Sequence, residues 1–249
     1  MFRFIIIFVR CITFSEIKNF LNFLRLIKSI VTFYSPLKLI LFYFNRNINP
    51  YRSEELNKLL KYNKKKWPKD NNLKSSKKIL VECFINQQLS SITNIVISKY
   101  LERILGLRSV AIIRKYDFKN EVILKSFHIE KIYKYEFGGI LTRLKYIYLS
   151  SKIVSKLDNT KALYNYKLNQ IDIGLSTYDT WIRYTKTPTA SKINVNMVYI
   201  LANALHAKEY FEKLLKREEI EHLVQAEKQF IPLNIFFQVA LKNKVKVYA

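Results

Sequence analysis

Two short apolar runs separated by one amphipathic segment constrain this chain more than any other feature. Residues 78–84 read K-I-L-V-E-C-F and residues 108–114 read R-S-V-A-I-I-R. Runs of this length, nearly continuous in aliphatic residues, suit strands buried on both faces of a parallel sheet. Between them, residues 90–105 place Ile92, Ile95, Val96, Lys99, Tyr100 and Arg103 at spacings of three and four, and Gly106 follows as a helix C-cap. Strand, helix, strand at this spacing implies a right-handed crossover.

The alternation continues. Residues 127–135 read as a third, more exposed strand, and Gly138 and Gly139 break it before a helix over 141–157. A long amphipathic helix over 194–216, the segment 221–227, a helix over 233–241 and a terminal strand over 244–248 complete the series. The expected fold class is α/β: a Rossmann-like doubly wound parallel sheet flanked by helices, over residues 77–249. In such sheets ligands bind beyond the carboxyl ends of the strands. That rule singles out Glu82, the segment 84–88 with Asn86, the loop after Arg114 and whatever follows Glu227. No G-x-G-x-x-G or G-x-x-x-x-G-K-[ST] follows any strand, which argues against an NAD enzyme or a P-loop kinase.

Composition narrows the setting. Lys and Arg number 43 against 19 Asp and Glu, a net charge of +24. Such a field attracts nucleic acid, anionic membrane or phosphorylated substrates, although the codons of an AT-rich genome favour the same residues. The two cysteines, Cys11 and Cys83, and the three histidines have neither disulfide-framework nor metal spacing, so a reducing, cytoplasmic setting is expected.

Ahead of the α/β region lie two further segments, 1–50 and 51–76. Residues 2–44 are rich in Phe, Ile and Leu but never run 18 residues without a charge, and no cleavage-site pattern follows an apolar core. Wound as a helix, residues 3–34 gather Arg3, Arg10, Lys18, Arg25 and Lys28 within about an 80° arc, opposite Ile5, Ile12, Phe20, Phe23, Ile27 and Ile30. That amphipathic helical segment suits an anionic membrane surface, peripheral at the inner face of the cytoplasmic membrane, or plain packing on the protein. Residues 51–76 read as a short basic helix, with Ser53 as cap and Glu54 and Glu55 in its first turn, running into a K-K-K-W-P linker.

Residues 170–183 read Q-I-D-I-G-L-S-T-Y-D-T-W-I-R in a chain with four glycines. Gly174 suits a sharp turn at positive φ, Thr177 a helix cap, and Asp179 and Arg183 an i,i+4 ion pair. Spacing alone leaves two readings open. One is a capped helix with a surface pair worth about 0.5 kcal/mol. The other is a site where helix amides, Tyr178 and Arg183 offer donors to sugar hydroxyls or a phosphate.

Ile173, Gly174, Tyr178, Asp179 and Arg183 resemble the I-G-D-x-x-Y-D-x-x-x-R signature of bacterial capsule and surface-polysaccharide biosynthesis proteins, GT-B-type glycosyltransferases. Ile79–Glu82, the S-K-Y-L at 98–101 and the segment 239–248 follow the family's layout, extending the resemblance over residues 77–249. Two departures stand out. The family's Asp after the Gly is Leu175, and where the family carries His, Gly and Arg before the last strand this chain has Glu227, Asn234 and Gln238.

The resemblance implies a glycosyltransferase-like, acceptor-side domain of polysaccharide synthesis. It implies a nucleotide-sugar donor held mainly by a separate domain, and a sugar or lipid-linked acceptor. In that reading Glu82 is the candidate base, Asp179 and Arg183 orient the acceptor, and Gly174, Tyr178 and Asn86 bind substrate. Two other classes remain: a basic nucleic-acid-binding protein of organellar ribosomal type, and a non-catalytic membrane-associated interaction protein.

Overall fold

The computed structural model describes residues 53–67, 75–85, 88–186 and 189–249. The amphipathic segment 3–34 and the candidate Asn86 lie outside them. The described chain forms two compact units, one built on a sheet and one wholly helical. The sheet unit takes the described residues up to Glu136, then Leu215–Ala226 and Lys244–Ala249; the helical unit takes Phe137–Leu214 and Glu227–Asn243.

The sheet contains β1 (Lys78–Cys83), β2 (Arg108–Arg114), β3 (Ile132–Tyr135), β4 (Ile220–Val224) and β5 (Lys246–Tyr248), in spatial order β3-β2-β1-β4-β5. Every pairing is parallel. This is the order of a Rossmann-like doubly wound sheet, and its direction reverses between β1 and β4.

β1 and β2 are buried on both faces, as their unbroken apolar runs require. Val81, Cys83, Ala111 and Ile113 share a core with Ile95 of α2 (Gln88–Leu105), with Ile123 and Leu124 of α3 (Phe118–Ser126), and with Phe127 and Ile129. On the opposite face Leu80, Glu82, Val110 and Ile112 are equally buried.

α1 (Glu54–Lys66) is capped as expected, Ser53 Oγ accepting the Leu56 amide at 3.3 Å. Its outcome differs from the expected linker, because Lys64, Lys65 and Lys66 form the last helical turn and Trp67 is buried. The indole packs on Phe127 and Tyr100, with the Arg103 guanidinium 4.9 Å above it. The cations thus gather at the negative end of the helix dipole, while the aromatic anchors the helix to the core. α3 went unforeseen because its nine residues carry little amphipathic pattern; the Asp117 side chain caps it through the Asn120 amide at 3.1 Å.

The helical unit holds α4 (Ile140–Val154), α5 (Thr160–Tyr164), α6 (Ile173–Thr185), most of α7 (Val195–Glu218) and α8 (Leu233–Lys242). Phe211 of α7 stacks on Phe236 of α8 at 4.0 Å between ring centroids. Arg143 is the largest fully buried side chain, and its Nε donates to the Phe137 and Gly138 carbonyls at 2.9 and 3.2 Å. No described helix is long and apolar enough to cross a membrane.

Candidate functional site

Helix α6 carries the motif, but its start is not the expected one. The helix begins at Ile173, so Asp172 is its N-cap and Thr177 lies inside it, buried, its hydroxyl donating to the Ile173 carbonyl at 2.7 Å. The sharp turn precedes the glycine. Asn169 and Gln170 take positive φ values of 51° and 67°, and Leu168 and Ile171 exchange amide hydrogen bonds at 3.0 and 3.1 Å across them. This is a two-residue hairpin turn with both central residues left-handed, a conformation usually signalled by Asn-Gly.

Gly174 serves a different purpose from a turn. It is helical and buried, and its amide donates to the Tyr166 carbonyl at 2.9 Å. A Cβ there would lie 1.8 Å from the Leu163 carbonyl oxygen and 2.9 Å from both Tyr166 N and O. The chain leaving α5 therefore runs against the bare face of α6, and only glycine permits that approach. The amides of Ile173 and Gly174 are both taken by carbonyls of the chain itself, so neither is offered to an anion.

A polar network closes over the helix start. Gln238 Oε1 accepts the Asp172 amide at 2.7 Å, and the Gln238 amide nitrogen donates to Asn234 Oδ1 and, at 3.3 Å, to Ser176 Oγ. Ser176 also reaches Asn234 Oδ1, and Asn234 Nδ2 donates to the Lys228 carbonyl at 2.8 Å. Asp172 forms an ion pair with Lys167 at 2.9 Å. Asn234 and Gln238 of α8 are thus hydrogen-bonded to the motif helix and its cap. Glu227 instead accepts the Gln229 amide at 2.7 Å.

Asp179 and Arg183 do not form the expected ion pair. The Arg183 guanidinium lies over the Phe230 ring at 5.2 Å, and burial raises the Asp179 carboxyl above the usual carboxylate range. Among the described residues no cation pairs with Asp179. Tyr178 packs edge-on against Tyr164 at 5.6 Å, and its hydroxyl accepts the Ala190 amide at 3.3 Å. Thr160 Oγ1 donates to the Ala190 carbonyl at 2.9 Å, so the loop after α6 is fastened from both sides.

In the sheet unit, Glu82 occupies the carboxyl end of β1, at the switch point between β1 and β4. Its side chain is fully buried, and Oε1 accepts the Phe84 amide two residues on. Asn94 donates to the Glu82 carbonyl at 2.9 Å, and Asn120 to the Cys83 carbonyl at 3.2 Å. These three side chains satisfy the backbone where the strand ends. Burial first, then the neighbouring Glu82 and Asp117 charges, pushes the Cys83 thiol well up, so it is an unreactive core residue. Glu82 belongs to the sheet unit, whereas Gly174, Tyr178, Asp179 and Arg183 belong to the helical unit.

Among the described residues, the helical unit encloses a cavity on each of two sets of helices. One, of about 590 Å³, has aliphatic walls including Leu149, Ile153 and Leu205, with Lys152, Lys156 and Lys208 around it. The other, of about 340 Å³, lies between α6 and α7. α6 contributes Thr180, Trp181, Tyr184 and Thr185; α7 contributes Asn196, Tyr199, Ile200 and Asn203; Ile231 completes it. On each helix these positions recur at one, three and four residues, a single face. Sequence reading passed over this pair of faces. The signal was there in T-W-x-x-Y-T and N-x-x-Y-I-x-x-N, polar and aromatic residues sharing the inward stripe of two amphipathic helices.

No family model, no curated protein and no solved structure matches the chain.

Proposed function

We propose that the chain is a glycosyltransferase-like protein of surface or capsular polysaccharide biosynthesis and supplies the acceptor side of the reaction. The observation that carries this reading is the hydrogen-bonded contact of Asn234 and Gln238 with Asp172 and Ser176. The contact joins the motif helix to α8, on which the closing stretch that follows the family's layout begins at Val239. The Rossmann-like strand order is the second support, since that architecture is the one the resemblance implies.

Within this reading the roles shift among the candidates. Glu82 is wholly enclosed and committed to the Phe84 amide, which suits a positioning residue at the strand end. Asp179 is half-buried, unpaired among the described residues, and shifted upward by burial. A general base needs a pKa raised toward the working pH, so Asp179 is the better acceptor-side base. Arg183, exposed and stacked on Phe230, keeps its N–H edges for a hydroxyl or a departing phosphate. The donor is a nucleotide sugar, the acceptor a sugar or lipid-linked saccharide, and the setting the inner face of the cytoplasmic membrane.

The test is a panel of nucleotide sugars assayed for hydrolysis and for transfer to saccharide acceptors, with the chain alone and with a donor-binding partner domain. Turnover that falls at least 100-fold in Asp179→Asn but survives in Glu82→Gln is the expected result. Turnover unaffected by Asp179→Asn would overturn the assignment of the base, and no turnover under either condition would overturn the transferase reading.

A further inference from the structure

We propose that the cavity between α6 and α7 binds an uncharged sugar ring. The inference deepens the transferase reading by naming a ligand class at the motif helix, and it rests on that reading only in taking the sugar as the acceptor.

Charge is the first argument. The chain carries a net charge of +24, yet no Lys, Arg, Asp or Glu lines this cavity. A phosphate or carboxylate ligand would be held by cations, and no cationic side chain is among the lining residues. A ligand taken into this space is neutral.

Shape and polarity supply the second. Trp181 and Tyr199 form aromatic walls, and Tyr184 stands at the mouth, 73% exposed. A pyranose presents an apolar C–H face that lies flat on such rings, with hydroxyls at its rim. Asn196 and Asn203 each carry an amide that both donates and accepts, the pattern a hydroxyl also has. The volume of about 340 Å³ is near the lower end of the ~300–1,000 Å³ typical of ligand sites, room for a ring or two but not for a nucleotide sugar.

The chain has two tryptophans, so Trp67→Phe leaves Trp181 as the sole emitter. Methyl glucoside, methyl galactoside and methyl N-acetylglucosaminide should each be titrated against glucuronate and uridine diphosphate. We expect a saturable change in emission with at least one neutral glycoside, at least tenfold tighter than for either anion. Tyr184→Ala, on an exposed side chain, should weaken it about fivefold, and Asn196→Leu at least tenfold. Saturation-transfer NMR on the wild-type chain reads the same contacts should Trp67→Phe fail to fold. No saturable response to any neutral glycoside by either method, or an equal response to the anions, overturns the proposal. Binding without turnover keeps this site and removes the transferase reading; turnover with Trp181 silent does the reverse.

Discussion

Gln238 of α8 accepts the Asp172 amide, the N-cap of α6, at 2.7 Å. Its amide nitrogen serves Asn234 and Ser176 at the same time, so one side chain satisfies three groups. Replacing it with Leu strands partners that are buried (Ser176) or partly buried (Asp172, Asn234). Gln238→Leu should therefore cost about 1–3 kcal/mol, read as a lower urea midpoint at unchanged m-value. A midpoint within error of wild type would show that water replaces the amide at no cost.

Gly174→Ala is expected to be worse. The new methyl would lie 1.8 Å from the Leu163 carbonyl oxygen, which belongs to backbone and cannot rotate away. The chain between α5 and α6 must separate, at a cost of about 3 kcal/mol or more. A thermal melt superimposable on wild type would contradict the close approach.

The hairpin before α6 predicts a gain. Gln170 holds φ 67° without being glycine, in the second central position of its turn. Gln170→Gly relieves about 1 kcal/mol of left-handed strain, less some loss of unfolded-state restriction, and should raise Tm by a few degrees. A fall in Tm would mean that the Gln side chain is worth more than the strain it imposes.

Much of this was legible beforehand, and the exceptions share a cause. β1, α2 and β2 follow from the sequence because their burial is written into local periodicity, and Gly106, at φ 66°, ends α2 as read. The turn at Asn169 and Gln170 was missed because the glycine two residues beyond Asp172 drew the reading to itself. Local spacing placed Asp179 and Arg183 within reach of one another, but Phe230, remote in sequence, offers the guanidinium a ring face instead. The Asn234 and Gln238 contacts are likewise tertiary, and no window of a dozen residues contains them.

A buried ion pair gives the fourth prediction. Lys99 and Glu102 meet at 2.7 Å on α2 with 5% and 8% of their side chains exposed. Lys99→Met alone leaves an uncompensated carboxylate and should cost about 3–5 kcal/mol, while Lys99→Met with Glu102→Leu should recover most of it. A single variant as stable as the double would show that the pair is solvated.

Acid should unfold the protein in two stages. Burial, aided by Arg143 and Lys145 and opposed by Glu209, lowers the His206 imidazole from 6.5 to about 4. The unfolded chain then binds the extra proton between those values, so stability is lost as pH falls from about 6.5 to about 4. His222, also lowered by burial, adds to this stage. Glu209 is held at about 2 by hydrogen bonds from Lys213 and Tyr146. At Glu218 burial acts upward, but Lys131, Tyr133 and Arg217 outweigh it and hold the carboxyl at about 2. Both carboxylates are depressed from 4.5, so their contribution disappears below that value as pH approaches 2. The His206 ring protons followed by NMR should titrate near 4; a midpoint at 6.5 would remove the first stage.

The strand order has a consequence for synthesis. β1 is central, and one of its edges is closed only by β4, through a register that joins Lys78 to Ile220. Every residue of the helical unit up to Leu214 leaves the ribosome before that edge is covered. Until then the nascent chain carries an open, largely apolar strand, the kind of edge that captures other chains. The long interval between partners leaves that edge uncovered while all of α2 to α7 is being made.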